Sequence, residues 1–282
     1  MLTRINNHDI KPIKGGKIDS RPILGADLIP HLYCNIFFVG RKKSGKTTGL
    51  LKVLRTCTLP GFTNVIIFSG TASTDVSWQE TLKGWNDKHG NPTVTYVIFR
   101  HLFDEKTGAN HLEAWFDMFD REHPDYEPGA VKQQSEPKRL THRAPPAQAP
   151  PAEAKKPKRP KVQAPETIFV FDDFSNELKN KWVAKMVREH RHYFCKVLIS
   201  TQFLTDLRGL GSRSQIDIWC LYPRIDDDTL KEIAKTIGLR YDLFLKLYHF
   251  ATKKDHNFLY VDRADKDIRV NFTHQFNKKL VE

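Results

Sequence analysis

Asn35–Thr48 reads NIFFVGRKKSGKTT. An uncharged apolar run, Ile36-Phe37-Phe38-Val39, stops at a glycine and is followed at once by TTGLLKVLRT, a helix-compatible segment. Between them lies G-x-x-x-x-G-K-[ST], filled by Gly40 through Thr47. A strand, a glycine-rich loop and a helix in that order form a cradle for the phosphates of a nucleoside triphosphate on magnesium. Glycines at 40 and 45 admit backbone conformations that a Cβ forbids, so successive N–H groups turn toward phosphate oxygens. The helix that follows offers its unpaired N–H groups and positive dipole end to the same anion. Lys46 is expected to reach the β- and γ-phosphates and the Thr47 hydroxyl to bind Mg²⁺. The candidate nucleotide-binding residues are therefore Gly40, Lys43, Ser44, Gly45, Lys46, Thr47 and Thr48. The competing reading, a surface turn rich in Gly, Ser and Lys, does not account for the strand and helix on its two sides.

The 282 residues suffice for one large α/β domain or two small ones. A formal charge of +12 favours a polyanionic partner. Four cysteines, Cys34, Cys57, Cys195 and Cys220, form no C-x-x-C pair, and three sit in or beside apolar runs, as buried thiols do. They indicate neither disulfides nor zinc. The first residues, MLTRINNHDIKPIKGG, contain no apolar signal core, and no stretch approaches a membrane-spanning length, so a secreted or membrane-spanning protein is not expected. Residues 1–30, polar with several Pro and Gly, read as an irregular arm.

Composition changes abruptly at Glu127–Pro165. This segment holds nine of the sixteen prolines and nine Lys/Arg against three Asp/Glu, a net of +6, with no aromatic residue. Such a segment cannot bury enough apolar surface to offset its ordering entropy, so a disordered insertion is expected inside a single domain spanning 31–282. Its run Lys155-Lys156-Pro157-Lys158-Arg159-Pro160-Lys161 reads either as a nuclear-localisation or nucleic-acid patch or as a solvated spacer.

The remaining chain alternates strand and helix patterns. Strands are expected at Asn64–Ser69, Val94–Phe99, Thr167–Phe171, Lys196–Ser200 and Ile216–Leu221, and an antiparallel hairpin at Asn257–Val261 and Asp267–Phe272. Helices are expected at Thr74–Trp85, with Trp78, Leu82 and Trp85 as its apolar face, and at Asn110–Asp120, Glu177–His190, Asp226–Ile237 and Tyr241–Phe250. That alternation predicts a mostly parallel central sheet flanked by helices, with the ligand at the C-terminal strand ends. The all-apolar run TIFVF ends in Asp172-Asp173. Asp172 is the candidate magnesium carboxylate, acting through water beside Thr47, and Asp173 the candidate base for the attacking water. The alternative for the pair is a strand end capping the next helix. The run KVLIS ends in Ser200-Thr201-Gln202, and Gln202 is placed to sense the γ-phosphate or the water. Arg208 and Arg213, in TDLRGLGSRS, are candidates to stabilise transition-state charge in a neighbouring subunit, or else solvated loop arginines. Lys181, Lys185, Arg188 and His192 form a basic helical stripe that either tracks a nucleic-acid backbone or is a solvated face.

The succession GRKKSGKTT, FVFDDFSNE, VLISTQF and an Arg-containing loop before IDIWCL resembles the FtsK–HerA superfamily of P-loop motors. Within it the chain is most similar to the poxvirus-type DNA-packaging ATPases of large DNA viruses, virophages and polinton-like elements. FSGTASTD with its following tryptophan, and NFLYVDRADKDIRVNF, are similar to that group as well. The resemblance implies a RecA-like fold and a ring of ATPase subunits that threads double-stranded DNA into a capsid at the site of virus assembly, in host cytoplasm or nucleus. It implies ATP and Mg²⁺ as ligands and capsid or portal proteins as partners. By motif position it assigns phosphate and metal to Lys46 and Thr47, the two carboxylates to Asp172 and Asp173, the sensor to Gln202 and the trans-acting arginine to Arg213 ahead of Arg208. The insertion departs from the family pattern. A helicase or conjugation-type pump of the same superfamily, a nucleotide kinase and an ATP-gated DNA tether are the competing functions; no arginine-bearing lid of the kinase type is visible.

Overall fold

The computed structural model describes residues 19–123, 160–174, 177–206 and 213–277. In chain order they form β1 (Asn35–Val39), α1 (Lys46–Cys57), β2 (Asn64–Phe68), α2 (Val76–Lys83), β3 (Thr95–Phe99), α3 (His111–Glu122), β4 (Thr167–Asp172), α4 (Lys181–Glu189), β5 (Cys195–Thr201), β6 (Ile218–Leu221), α5 (Asp227–Ile237), α6 (Tyr241–Ala251), β7 (Leu259–Asp262), β8 (Asp267–Val270) and β9 (His274–Gln275).

All nine strands join one sheet in the order β3-β2-β4-β5-β1-β6-β7-β8-β9. The run from β3 to β6 is parallel, and β6 to β9 is antiparallel. Every residue of β1, β4, β5 and β6 is buried, which is why these strands read as continuous apolar runs rather than as alternating ones. Period-two alternation then divides their side chains between two cores. Ile36 and Phe38 join Leu50, Val53 and Trp78 on the side of α1 and α2, while Phe37 and Val39 join Phe116, Met186, Leu230 and Phe244 on the side of α3–α6. β5 separates β1 from β4, so the ends of the phosphate-loop strand and the acidic strand both flank the end of β5.

The structure corrects several local readings. The helix expected over Glu177–His190 is two pieces, a 3₁₀ turn at Glu177–Lys179 and then α4. The Asn180 side chain accepts from Trp182 N at 2.9 Å and starts a new helix there, the capping role in which Asn outcompetes continuation. α4 ends at Glu189, so His192 is not part of a helical stripe. The C-terminal hairpin gains a third strand, β9, and Asp262 closes its first turn by accepting from Ala264 N and Asp265 N.

Residues 160–165, the end of the segment expected to be disordered, run along the N-terminal arm. Leu24 N donates to Gln163 O and Gln163 N to Pro22 O, each at 2.8 Å, and Thr63 Oγ1 donates to Pro165 O at 2.9 Å. Lys155, Lys156, Lys158 and Arg159 lie outside the described residues, as does Arg208. All four cysteines are buried and free. No described helix is long and apolar enough to cross a membrane.

Candidate phosphate-binding and hydrolytic site

The loop between β1 and α1 is shaped by what stands behind it. Gly45 has φ 99°, which only glycine adopts readily, and it precedes a helix that no side chain caps. By contrast α2, α3, α4 and α5 are capped by Asp75, Asn110, Asn180 and Asp226. The first-turn N–H groups of α1 are thus left for an anion. Tyr222, just past β6, forms the floor of the loop. A Cβ on Gly40 would stand 2.5 Å from Tyr222 Cβ, and one on Gly49 would stand 2.1 Å from the Tyr222 hydroxyl. Lys43 takes the left-handed conformation with φ 64° and is exposed, as is Thr48. Ser44 Oγ is buried without a hydrogen-bond partner among the described residues.

Lys46 opens α1 with its side chain largely buried, and Nζ donates to Arg41 O at 3.0 Å. Burial pushes its pKa down, and the charges of Asp173 and Asp172 oppose that shift. Those carboxylates come from the end of β4, two strands away, and reach the same place because β5 alone intervenes. Thr47 Oγ1 lies 3.4 Å from Asp172 Oδ1. The other oxygen, Oδ2, accepts from Trp78 Nε1 at 2.8 Å. Asp172 is 2% exposed, and that burial raises its carboxyl above the usual range, against the indole hydrogen bond that lowers it. Asp173, one residue on, takes φ 52° and its N–H donates to Ser200 O at 3.1 Å. Its Oδ1 accepts from Gln202 Nε2 at 2.9 Å. The exit of β5 is fixed in turn by the Thr201 hydroxyl, which donates to Asp206.

The arrangement therefore places one ammonium, one hydroxyl, two carboxylates and one amide at the C-terminal ends of β1, β4 and β5. The Thr47 hydroxyl and the Asp172 carboxylate are hard oxygens side by side, a donor set that suits Mg²⁺. Arg213 begins a 3₁₀ turn, Arg213–Gln215, that leads into β6. On α4, Lys185 Nζ stands 4.4 Å from the centre of the Phe116 ring and 5.6 Å from that of Tyr193, so it caps an internal aromatic cluster. Lys181, 5.1 Å from the Trp182 ring centre, and Arg188 are exposed. Sequence reasoning did not single out Gly49, Tyr222 or the polar end of Trp78. The apolar periodicity that placed Trp78 in a helix counts the indole as hydrophobic and ignores its N–H.

No family model and no curated protein matches the sequence. Among solved structures, the chain is similar to the genome packaging NTPase B204 from Sulfolobus turreted icosahedral virus 2. With AMP bound, that protein is 15% identical with a TM-score of 0.51, and the match covers 86% of this chain and 98% of the neighbour. With AMPPCP bound, it is 16% identical with the same TM-score and the same shares of each chain. The likeness is one of fold: the chain has the α/β architecture of a P-loop NTPase, matched along nearly the whole of its neighbour.

Proposed function

We propose that this chain is an ATP-hydrolysing motor that drives double-stranded DNA into a viral capsid. The observation that carries the proposal is the meeting of Lys46, Thr47, Asp172, Asp173 and Gln202 at the ends of three adjacent parallel strands. The fold supports it, since the neighbours that share it are described as genome packaging NTPases.

In this reading the loop N–H groups and Lys46 hold the β- and γ-phosphates, with Thr47 and Asp172 on the Mg²⁺ that accompanies them. Mg²⁺ held by these two residues would supply neutralisation of the phosphate charge. Asp173 takes the proton of the attacking water, and Gln202, already bonded to Asp173, positions that carboxylate and registers the γ-phosphate. The transferred phosphoryl passes through a loose transition state, so the chain works by positioning and electrostatics. Arg213 of an adjacent copy completes the site, and several copies form a ring around the duplex. The protein then acts where capsids assemble, alongside capsid or portal proteins.

Steady-state ATPase on size-fractionated protein, with and without duplex DNA, tests the reading. Hydrolysis concentrated in the oligomeric fraction, stimulated by duplex and abolished by Lys46→Ala, is expected. Full activity in Lys46→Ala refutes the site. Strand displacement in the same fractions would make the protein a helicase instead, and DNA binding with negligible turnover would make it a tether.

A further inference from the structure

Trp78 is wholly buried on the first turns of α2, and its indole N–H points at the carboxylate of Asp172. Its sequence position explains why it can reach there. β2 is the direct neighbour of β4, so the helix that follows β2 starts beside the end of the acidic strand. Asp75 caps that helix through Ser77 N and Trp78 N, which fixes the first turn and with it the indole. The 2.8 Å bond uses Asp172 Oδ2 and leaves Oδ1 on the side of the Thr47 hydroxyl. A buried carboxylate free to rotate would divide its two oxygens between these directions; held on one, it presents the other.

We propose that Trp78 is a positioning residue for the metal site: its indole N–H locks Asp172 so that Oδ1 stays beside Thr47 and meets Mg²⁺ or its bound water. The inference rests on the nucleotide site proposed above. Apolar burial alone does not call for an N–H at this point, whereas the N–H is what the carboxylate contacts. Hydrogen bonds to charged groups are strong enough that losing this one should weaken Mg²⁺-dependent binding about tenfold or more.

The test compares Trp78→Phe with the unaltered chain by calorimetric titration of AMPPCP in excess Mg²⁺ and again in EDTA, with thermal unfolding alongside. Weakening of about tenfold with Mg²⁺ and little change in EDTA are expected, with the melting temperature lowered by the lost indole volume and the unpaired carboxylate oxygen and the variant still folded at the titration temperature. Equal weakening in both titrations, or none, overturns the inference. A second measurement does not depend on the variant folding: the assigned ¹⁵N–¹H indole resonance of Trp78 in the unaltered chain should move when Mg²⁺ joins AMPPCP, and a stationary resonance also overturns it. Asp172→Asn separates the two levels of the argument. If it loses the Mg²⁺-dependent gain while Trp78→Phe keeps it, the role of Trp78 falls and the site stands. If Asp172→Asn binds Mg²⁺ and nucleotide like the unaltered chain, both fall.

Discussion

The Gln202 amide donates to the Asp173 carboxylate over 2.9 Å, and so ties the tip of β5 to the residue just beyond the acidic strand. Asp173 is held in left-handed backbone, a conformation that Asp and Asn tolerate better than most residues. Asp173→Asn therefore removes charge with little change in backbone preference. It should bind AMPPCP as tightly as the unaltered chain and hydrolyse ATP about 10²–10⁴-fold more slowly in single turnover. Gln202→Ala leaves the charge but frees its orientation, and a loss of about 10²-fold is expected from misplacement. Wild-type turnover in Asp173→Asn would assign the proton to another base.

Tyr222 and Gly49 form a second testable pair. The Tyr222 hydroxyl is buried without a hydrogen-bond partner among the described residues, and a Cβ at position 49 would stand 2.1 Å from it. Gly49→Ala alone should destabilise the protein by about 1–3 kcal/mol through overpacking. Tyr222→Phe removes an unsatisfied hydroxyl and should be neutral or slightly stabilising. In the double variant the nearest remaining atoms, Phe38 Cε1 and Tyr222 Cζ, are 3.5 Å from the new Cβ, an ordinary contact. The penalty should then vanish and a helix-propensity gain of about 0.5–1 kcal/mol emerge. Urea unfolding of the four chains gives the cycle directly, and an additive result would mean the clash is relieved elsewhere.

The alternation of strands and helices, and the polar residues that gather at the ends of β1, β4 and β5, were legible because they rest on local signals: apolar runs of strand length, one loop motif with fixed spacing, and polar residues at run ends. What was not legible depends on partners distant in the chain. Nothing near Gln163 announces that it bonds to Pro22 and Leu24. Nor does helical periodicity reveal that Asn180 caps a new helix, since an asparagine on a polar face fits an unbroken one equally well. Tyr222 falls just past the expected strand Ile216–Leu221 and carries no local signal; its place under Gly40 and Gly49 follows only from β6 lying beside β1.

Lys185 distinguishes packing from nucleic-acid binding on α4. Its ammonium over the Phe116 face is a cation–π contact worth about 0.5–1 kcal/mol, so Lys185→Ala should lower stability by about that amount. Arg188 is exposed, and its removal should leave stability unchanged within about 0.5 kcal/mol, while that of Lys181, exposed but 5.1 Å from the Trp182 ring centre, should cost about 0.5–1 kcal/mol at most. If α4 follows the duplex, each of these two replacements reduces the slope of log affinity against log salt by about one, measured by anisotropy with labelled duplex. An unchanged slope in both means that α4 is a solvated face.

His31 joins the segment before β1 to the turn after β7, through Nε2 at 2.7 Å from Asp262 Oδ2. That hydrogen bond raises the imidazole pKa, with burial opposing it and Asp262, Asp265 and Asp217 adding attraction. The backbone is anchored independently, because Lys196 Nζ donates to His31 O at 2.8 Å. In the unfolded chain the imidazole releases its proton near pH 6.5. Between that value and the raised folded one, the native state binds more protons than the unfolded state, so stability must fall as pH rises. The contribution is complete below about pH 6.5 and disappears as pH climbs through the folded pKa. Urea midpoints of the unaltered chain and His31→Gln should therefore differ most at the acidic end of a pH 6–9 series and converge at the alkaline end. Subtracting the two curves removes groups common to both chains, and a difference that grows with pH would mean the native pair is held in its neutral form.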